Sequence, residues 1–162
     1  MTTRFLAQLA RELAARGQTV AVAESCTGGG LGWHLTALPG SSVFFKGGVI
    51  AYANEAKQRL LGIPAALLAR HGAVSGHVAR AMAAHVRRMF RATYGIAITG
   101  IAGPSGGTAG KPVGTVWLAV AGPAGTTAEL HRFRGSRARV RAQAVDHALR
   151  MVSRGFPPQT IP

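Results

Sequence analysis

The sequence predicts an α/β protein, a three-layer α/β/α sandwich built on a mostly parallel mixed sheet. Short apolar runs typical of buried strands alternate with amphipathic patterns typical of helices up to residue 99. Two further apolar runs are then separated by Pro123-Ala124-Gly125, which predicts a hairpin with one antiparallel strand, and a last helical pattern follows. Alternation of this kind places helices on both faces of a sheet.

The first helix is predicted over residues 3–16, because its apolar residues form one stripe and Gly17 follows as a stop signal. The stripe consists of Phe5, Leu6, Leu9 and Leu13. Residues 19–23 form a short apolar run and predict the first strand. A helical pattern over 29–38 comes next and ends at Pro39-Gly40.

The second strand is predicted over residues 43–53, with a bulge at Gly47-Gly48, where two glycines interrupt the apolar run. Asn54 is predicted to cap the following helix, which contains Lys57. A further short helix is predicted from Pro64 to Ala69.

Ser75 is predicted to cap a helix over residues 76–91. The apolar stripe of this helix consists of Val78, Met82, Val86, Met89 and Phe90. Residues 94–99 predict the third strand, and a glycine-rich loop over 100–112 follows it.

The predicted hairpin pairs residues 113–121 with residues 126–133, and the last helix is predicted over 137–153. The inward-facing side chains of that helix are expected to be Val140, Ala144, Ala148, Met151 and Val152. Residues 1–155 are expected to form a single domain, and residues 156–162 a loose, proline-rich tail.

The composition favours a folded globule with anionic partners. Of the 162 residues, 48% are hydrophobic and 15% charged, which argues against a disordered chain. The net charge of +14 favours an anionic partner, although arginines on the polar faces of helices account for much of it. Cys26 is the only cysteine, so no internal disulfide can form, and the cytoplasm is the expected compartment. No run is long and apolar enough to span a bilayer, so a membrane partner is not expected.

The stretch from Ala21 to Gly30 places one acid and two hydroxyl side chains between a predicted strand and a predicted helix. Ser25 or Thr27 is predicted to cap that helix, whose start attracts anions. Ligands of α/β sheets bind at the carboxyl ends of strands, so this stretch is the candidate site. A helix cap with a tight turn, and no ligand, is the alternative interpretation.

Other catalytic and metal-binding signatures fail. The loop 100–112 is not a Walker loop, because Pro112 stands where Ser or Thr is needed. Gly103-Pro104-Ser105-Gly106-Gly107 fits the nucleophile-elbow pattern, but no helix follows it directly. The one aspartate, Asp146, neighbours His147 on a predicted helix, where adjacent residues do not face each other. The six histidines show no zinc-type spacing, so no metal is expected.

A serine nucleophile without a histidine partner needs another base. Lysine can serve where its surroundings lower its pKa. Lys57 is the best candidate because it follows a predicted strand closely. An ordinary surface lysine on a helix is the alternative.

Seven short motifs occur in order along the chain. They are Ala23-Glu24-Ser25-Cys26-Thr27-Gly28-Gly29, Pro39-Gly40-Ser41-Ser42, Gly47-Gly48-Val49-Ile50-Ala51-Tyr52, Asn54-Glu55-Ala56-Lys57, His71-Gly72-Ala73-Val74-Ser75, Thr99-Gly100-Ile101-Ala102-Gly103-Pro104 and Lys111-Pro112-Val113-Gly114-Thr115-Val116. With these motifs the chain resembles the CinA C-terminal family, the nicotinamide mononucleotide deamidases called PncC, over about residues 5–152. One departure is Gly135-Ser136-Arg137, where the family usually has Gly-Asp-Arg.

The resemblance implies an α/β/α fold, often dimeric, that hydrolyses the carboxamide of nicotinamide mononucleotide to nicotinate mononucleotide and ammonia. Such an enzyme belongs to pyridine nucleotide salvage. The resemblance implies no metal and no organic cofactor. The pyrophosphatase-like domain of longer CinA proteins is not present in this sequence, so a stand-alone amidase is the expectation.

The resemblance also implies roles for individual residues. Ser25 is the expected nucleophile and Lys57 the expected base, directly or through water, with Tyr52 beside it. The expected substrate-binding residues are Glu24, Thr27, Gly28, Ser42, Thr99, Gly100, Arg137 and Arg141. Amides around Thr27 and Gly28 are the expected oxyanion donors, and an arginine from the segment Arg134 to Arg141 would hold the phosphate or orient the amide.

The alternative function is a non-catalytic module that binds a nucleotide or a nucleic acid through its basic surface. Aromatic residues that could stack on bases are few, so nucleic acid is not the expected partner. Salt-dependent binding to DNA without amide turnover would favour this alternative.

Overall fold

A computed structural model of the chain describes residues 3–154, which form a five-stranded sheet between two layers of helices. The helices are α1 (Thr3–Ala15), α2 (Gly30–Thr36), α3 (Asn54–Leu61), α4 (Ala65–His71), α5 (Gly76–Met89) and α6 (Arg137–Arg154). The strands are β1 (Val20–Glu24), β2 (Phe45–Ile50), β3 (Tyr94–Gly100), β4 (Thr115–Gly122) and β5 (Gly125–Arg132). A short 3-10 turn, Ser41–Val43, precedes β2. The tail predicted over residues 156–162 lies outside the described residues.

The strands lie in the order β2-β1-β3-β4-β5. β1 pairs in parallel with both β2 and β3, whereas β4 pairs antiparallel with both β3 and β5. Among the described strands only β4 is reversed, which confirms the predicted mixed sheet with one antiparallel strand. Because β1, β2 and β3 run in the same direction, their carboxyl ends meet at one edge of the sheet.

Helices cover both faces of the sheet, which confirms the three-layer prediction. The apolar side chains of α1, α2 and α6 form one core cluster with the sheet, and those of α3, α4 and α5 form another on the opposite face. β1 is buried along its whole length, as expected for a central strand with helices on both sides. None of the helices between residues 3 and 154 combines the length and the apolar character needed to cross a bilayer.

The predicted helix caps have different outcomes. Ser75 caps α5 as predicted, because its Oγ accepts a hydrogen bond of 3.3 Å from the Val78 amide. Asn54 does not cap α3: the N-cap residue is Ala53, and Asn54 is the first helical residue. The prediction that Met89 belongs to the core stripe of α5 is also wrong, since its side chain is 51% exposed at the end of that helix.

β2 is an edge strand whose register shifts at its start. Val20 pairs with Phe45, but the next residue, Ala21, pairs with Gly47. Lys46 is therefore the extra residue of a bulge, which confirms the predicted irregularity. The strand ends at Ile50, earlier than predicted, and the chain then turns across the edge of the sheet where β1 and β3 also end.

Candidate active site

A cavity of about 350 Å³ opens at the edge of the sheet where β1, β2 and β3 end. Ser25 and Cys26 line it directly after β1, and Tyr52 lines it after β2. Residues 99–103 line it at the end of β3, and Arg137 does so at the start of α6. The cavity therefore occupies the position where α/β sheets bind their ligands.

A larger cavity of about 650 Å³ lies at the opposite edge of the sheet, beside the β4–β5 hairpin and the end of α6. Its walls are mainly apolar and include Tyr94, Met151 and Arg154. The two candidate catalytic residues, Ser25 and Lys57, line the smaller cavity and not this one.

Ser25 and Lys57 meet in the smaller cavity, although 32 positions separate them in the chain. The Lys57 Nζ donates a hydrogen bond of 3.2 Å to the Ser25 Oγ. Lys57 is 1% exposed and Ser25 is 8% exposed. The structure thus brings together the two groups that the sequence singled out as nucleophile and base.

The surroundings of Lys57 suit a base. Its Nζ also donates to the carbonyls of Ala51, at 2.9 Å, and Tyr52, at 3.0 Å. Burial is the main influence on its pKa and lowers it, against the opposing effects of Cys26 and Glu55. When Lys57 loses a proton, two N–H groups can keep the carbonyl contacts, and the lone pair then faces the Ser25 hydroxyl.

The backbone fixes both side chains. The Ser25 amide donates to the Ile98 carbonyl of β3 at 3.0 Å, and the Ala51 amide donates to the Glu24 carbonyl at 2.7 Å. These bonds extend the parallel pairing by one residue beyond the strand ends. Lys57 lies in the first turn of α3, so its side chain is directed from a rigid helix toward the end of β1.

Glu24, rather than Ser25 or Thr27, caps α2, so the predicted cap is wrong. The Glu24 carboxylate is buried and accepts three amide hydrogens from the start of α2, at 2.8 to 3.2 Å. Side chains alternate along a strand, so Glu24 faces the α2 side of the sheet together with Val22. It does not line the cavity, and its role in substrate binding stays a prediction.

The amides of the turn after Ser25 differ from the prediction in which of them could stabilise an oxyanion. Gly28 and Gly29 are both left-handed, with φ of 58° and 94°, which explains why glycines stand here. The Gly28 amide donates to the Ser25 carbonyl at 3.0 Å, so it is occupied. The amides of Cys26 and Thr27 donate to no oxygen within the described part of the chain. Of the amides expected to serve as oxyanion donors, the Gly28 amide is therefore occupied in this structure.

Cys26 lines the cavity beside Ser25 but lacks an activating partner. Burial raises the pKa of its thiol to about 11, so the thiol stays protonated at neutral pH. Of the two neighbouring nucleophiles, Ser25 is the one in contact with a base. Across residues 3–154, no three His, Cys, Asp or Glu side chains come together as a metal site.

Arg137 is held at the rim of the cavity by two hydrogen bonds. Its Nη1 donates to the Gly103 carbonyl at 2.6 Å, and its Nη2 donates to the Tyr52 hydroxyl at 3.0 Å. Deeper in the cavity, the buried Thr99 donates its hydroxyl to the Ala73 carbonyl at 2.9 Å. These bonds tie together the segments that follow β2 and β3, the start of α6 and the loop before α5.

Several expected substrate-binding residues lie away from the cavity. Ser42 precedes β2, so it stands at the amino end of a parallel strand, at the opposite edge of the sheet from Ser25. Thr27 and Gly28 form the turn behind Ser25 and do not line the cavity. Arg141 donates to the Thr27 carbonyl at 2.7 Å and is likewise absent from the lining. Their roles in substrate binding stay predictions.

Asn54 and Val74 also line the cavity, and neither residue was predicted to do so. Asn54 had a signal, because it follows the end of a predicted strand and such residues collect at the binding edge of the sheet. Val74 had none, because it precedes a helix and reaches the cavity through the path of a loop.

A sequence profile of the CinA C-terminal domain matches residues 2–156. The chain belongs to the CinA C-terminal domain family. The CinA-like protein of Anaeromyxobacter sp. (strain K) is 61% identical over 140 residues, which are 86% of this chain and 34% of that protein. The CinA-like protein of Gemmatimonas aurantiaca is 57% identical over 145 residues, 90% of this chain and 34% of that protein. The chain thus spans about a third of the length of the curated relatives that it matches.

Solved structures of the CinA superfamily have the same fold. The competence damage-inducible protein A (ComA) from Klebsiella pneumoniae matches with a TM-score of 0.90 and 38% identity, over 94% of each chain. A CinA superfamily protein from Escherichia coli matches with a TM-score of 0.90 and 34% identity, over 94% of this chain and 88% of that one. These names specify no substrate.

Proposed function

We propose that this CinA-family chain is an amidohydrolase that converts nicotinamide mononucleotide to nicotinate mononucleotide and ammonia. One observation carries the proposal: the buried Lys57 Nζ lies 3.2 Å from the Ser25 Oγ in a cavity at the carboxyl ends of the strands. A hydroxyl in contact with a desolvated amine is an arrangement for nucleophilic attack on an acyl carbon. Family membership supports the same reading of these residues.

In the first half-reaction, the neutral Lys57 amine takes the Ser25 proton while Oγ attacks the carboxamide carbon. The carbonyl electron pair moves onto oxygen, and the amide of Cys26, which lines the cavity and donates to no oxygen among the described residues, stabilises the resulting oxyanion. One such donor is typically worth about 3 kcal/mol of transition-state stabilisation. Lys57 then returns the proton to the amide nitrogen, the C–N bond breaks, ammonia leaves, and an ester remains on Ser25.

In the second half-reaction, a water molecule replaces ammonia. Lys57 takes a proton from this water while its oxygen adds to the ester carbon, which gives a second oxyanion. The bond between that carbon and the Ser25 Oγ then breaks, and Lys57 gives its proton to Oγ. The product leaves as a carboxylate after losing its acidic proton to solvent, so Lys57 and Ser25 return to their starting states.

The remaining lining suits a nucleotide with a pyridinium ring. The cavity volume of about 350 Å³ is within the range of small-molecule sites. Arg137 uses two N–H groups on protein acceptors at the rim, which leaves further donors for a phosphate. Tyr52 is 59% exposed beside it, so its ring offers a face to the cationic pyridinium.

Ammonia release from nicotinamide mononucleotide tests the proposal. We expect turnover by the native chain and a loss of about 10³-fold or more in Ser25→Ala and in Lys57→Met. Cys26→Ala is the matched control, because it removes the neighbouring side-chain nucleophile, and it is expected to keep most of the turnover. Undiminished release by Ser25→Ala would remove Ser25 as the nucleophile and the mechanism with it.

A second candidate, a non-catalytic basic module, is favoured by the net charge of +14. It predicts salt-dependent binding of DNA or RNA without ammonia release, whereas the deamidase predicts turnover that depends on Ser25.

The homodimer implied by the resemblance belongs to the main proposal, and so does the cytoplasm as compartment. Light scattering on the purified chain measures the oligomer, and a mass of one protomer would contradict the dimer.

A further inference from the structure

Arg141 contacts the turn behind Ser25 although 114 positions separate it from that turn. Its Nη2 donates a hydrogen bond of 2.7 Å to the Thr27 carbonyl. The Gly28 amide belongs to the same peptide unit and donates to the Ser25 carbonyl at 3.0 Å. One peptide plane is therefore held at both ends, by α6 on one side and by the nucleophile's own carbonyl on the other.

The Arg141 guanidinium makes no ion pair with a carboxylate among residues 3–154. Its Nε is buried and lacks a hydrogen-bond partner in the same part of the chain, and so does the Oγ1 of the buried Thr27. Burial raises the pKa of the neighbouring Cys26 thiol, and the positive charge of Arg141 opposes that rise in part. The hydrogen bond to the Thr27 carbonyl is therefore the contact through which Arg141 can act on the turn.

We propose that Arg141 is a positioning residue that holds the Thr27–Gly28 peptide, and with it the turn that presents the Ser25 hydroxyl and the Cys26 amide to the cavity. This inference rests on the proposed deamidase function and deepens it. It replaces the expectation from sequence that Arg141 binds the substrate directly. A residue of this kind acts on the transition state more than on substrate binding, so its loss lowers kcat and leaves KM unchanged.

Kinetics of nicotinamide mononucleotide hydrolysis test the proposal with Arg141→Gln, Arg141→Lys and the control Arg139→Gln. Arg139 lies on the same helix with an exposed side chain, so its variant removes the same charge without touching the turn. We expect Arg141→Gln to lose about 10- to 100-fold in kcat at unchanged KM, since a misplacement of about 1 Å can cost about 10²-fold. Arg141→Lys keeps the charge and a donor and is expected to recover part of kcat, while the Arg139 variant keeps both constants.

Several results would overturn this assignment. A raised KM with native kcat in Arg141→Gln would mean that Arg141 contacts the substrate directly. Native values of both kcat and KM would mean that Arg141 has no role in the reaction. If kcat of Arg141→Lys were as low as that of Arg141→Gln, a role for the donated hydrogen bond would be contradicted. If Arg141→Gln does not fold, Arg141→Lys alone decides, because a change confined to KM in that variant contradicts positioning.

Amide hydrogen exchange at Gly28, followed by NMR, separates this inference from the proposed function. In the native chain the Gly28 amide is bonded to the Ser25 carbonyl and should exchange slowly, whereas in Arg141→Gln it should exchange faster. If the native chain hydrolyses no nicotinamide mononucleotide, the proposed function fails, but this measurement still tests whether Arg141 holds the turn. Equal exchange in the native chain and the Arg141 variant would overturn the inference even if the enzyme is active.

Discussion

Lys57 is a buried amine whose hydrogen bonds go to two backbone carbonyls and one hydroxyl. The carbonyls favour the ammonium form, because they only accept hydrogen bonds, whereas burial favours the neutral amine. Burial is the larger effect, so the pKa of Lys57 is lowered. The neutral amine keeps both carbonyl contacts, and therefore the same geometry serves the acid and the base that the reaction needs in turn.

The lowered pKa of Lys57 predicts the pH dependence of turnover. Below that pKa Lys57 is protonated and has no lone pair, so kcat/KM should fall about tenfold for each unit of decreasing pH and level off above it. The midpoint of this rise should lie below the ordinary lysine pKa. Initial rates of ammonia release across the pH range measure it.

Two controls test whether Lys57 causes this fall of kcat/KM at low pH. The phosphate of the free substrate has its second pKa at about 6, so its titration also changes kcat/KM. It does not change kcat at saturating substrate, and kcat should therefore still fall with decreasing pH if Lys57 is the base. The residual turnover of Lys57→Met should not show this fall with decreasing pH. A rate that falls with rising pH in the native chain would contradict a neutral amine as the base.

α2 begins on a buried carboxylate, not on a capping hydroxyl. Three amides at its start donate to Glu24, and Glu24 occupies the end of β1 directly before the nucleophile. α2 and the nucleophile turn therefore depend on one side chain. The seven residues of α2 are too few for a stable isolated helix, so this contact and packing against the sheet must hold it.

Glu24→Ala should lower the free energy of unfolding by about 2 kcal/mol or more, because three amides lose a charged acceptor. Urea denaturation of the purified chain measures the change. Glu12→Ala is the control, since that carboxylate contacts only an exposed Gln8 side chain among the described hydrogen bonds. Equal stability losses in both variants would contradict the capping role of Glu24.

Gly95 marks the closest approach of β3 to α5. A Cβ built at this position would lie 2.1 Å from the Ala83 carbonyl oxygen and 2.7 Å from the Arg87 Cβ. Gly95→Ala must therefore separate a central strand from its helix, which should lower the free energy of unfolding by roughly 1–3 kcal/mol.

Gly110→Ala is the matched control for this substitution, because no atom lies within 4 Å of the corresponding Cβ. Thermal or urea unfolding of both variants checks the difference. A Gly95 variant as stable as the Gly110 variant would mean that the strand and helix can separate without loss.

The order of the elements and the position of the site followed from the sequence, because hydrophobic periodicity and strand direction determine both. The pairing of Ser25 with Lys57 was implied by the resemblance to the CinA C-terminal family, since the residues alone left a helix cap and a surface lysine as alternatives. Side-chain direction was harder to predict. Glu24 and Ser25 are adjacent yet point to opposite sides of the sheet, and Ser42, although it belongs to one of the seven motifs, lies at the amino end of its strand.

The whole molecule has a positive field that its few acids do not neutralise. The chain carries 19 Lys and Arg residues against five acids. Glu24 is buried against amides, Asp146 is paired with Arg150, and Glu129 is paired with Arg154. The positive charge at the surface is therefore largely uncompensated, and it extends to the rim of the cavity, where Arg137 stands.

This field should speed the encounter with a phosphorylated substrate, so kcat/KM for nicotinamide mononucleotide should fall with added salt. Ions screen charges beyond about 10 Å at 0.1 M ionic strength, and electrostatic steering of this kind changes association rates by about 10-fold or more.

Nicotinamide riboside is the matched substrate, because it has the same pyridinium carboxamide and no phosphate. Its kcat/KM should stay constant or rise with salt, since the field repels a cation. Initial rates for both substrates across a sodium chloride series, with kcat as the internal reference, measure the difference. An equal loss for both substrates would mean that salt acts on the enzyme itself, and the positive surface would then have no part in capturing the nucleotide.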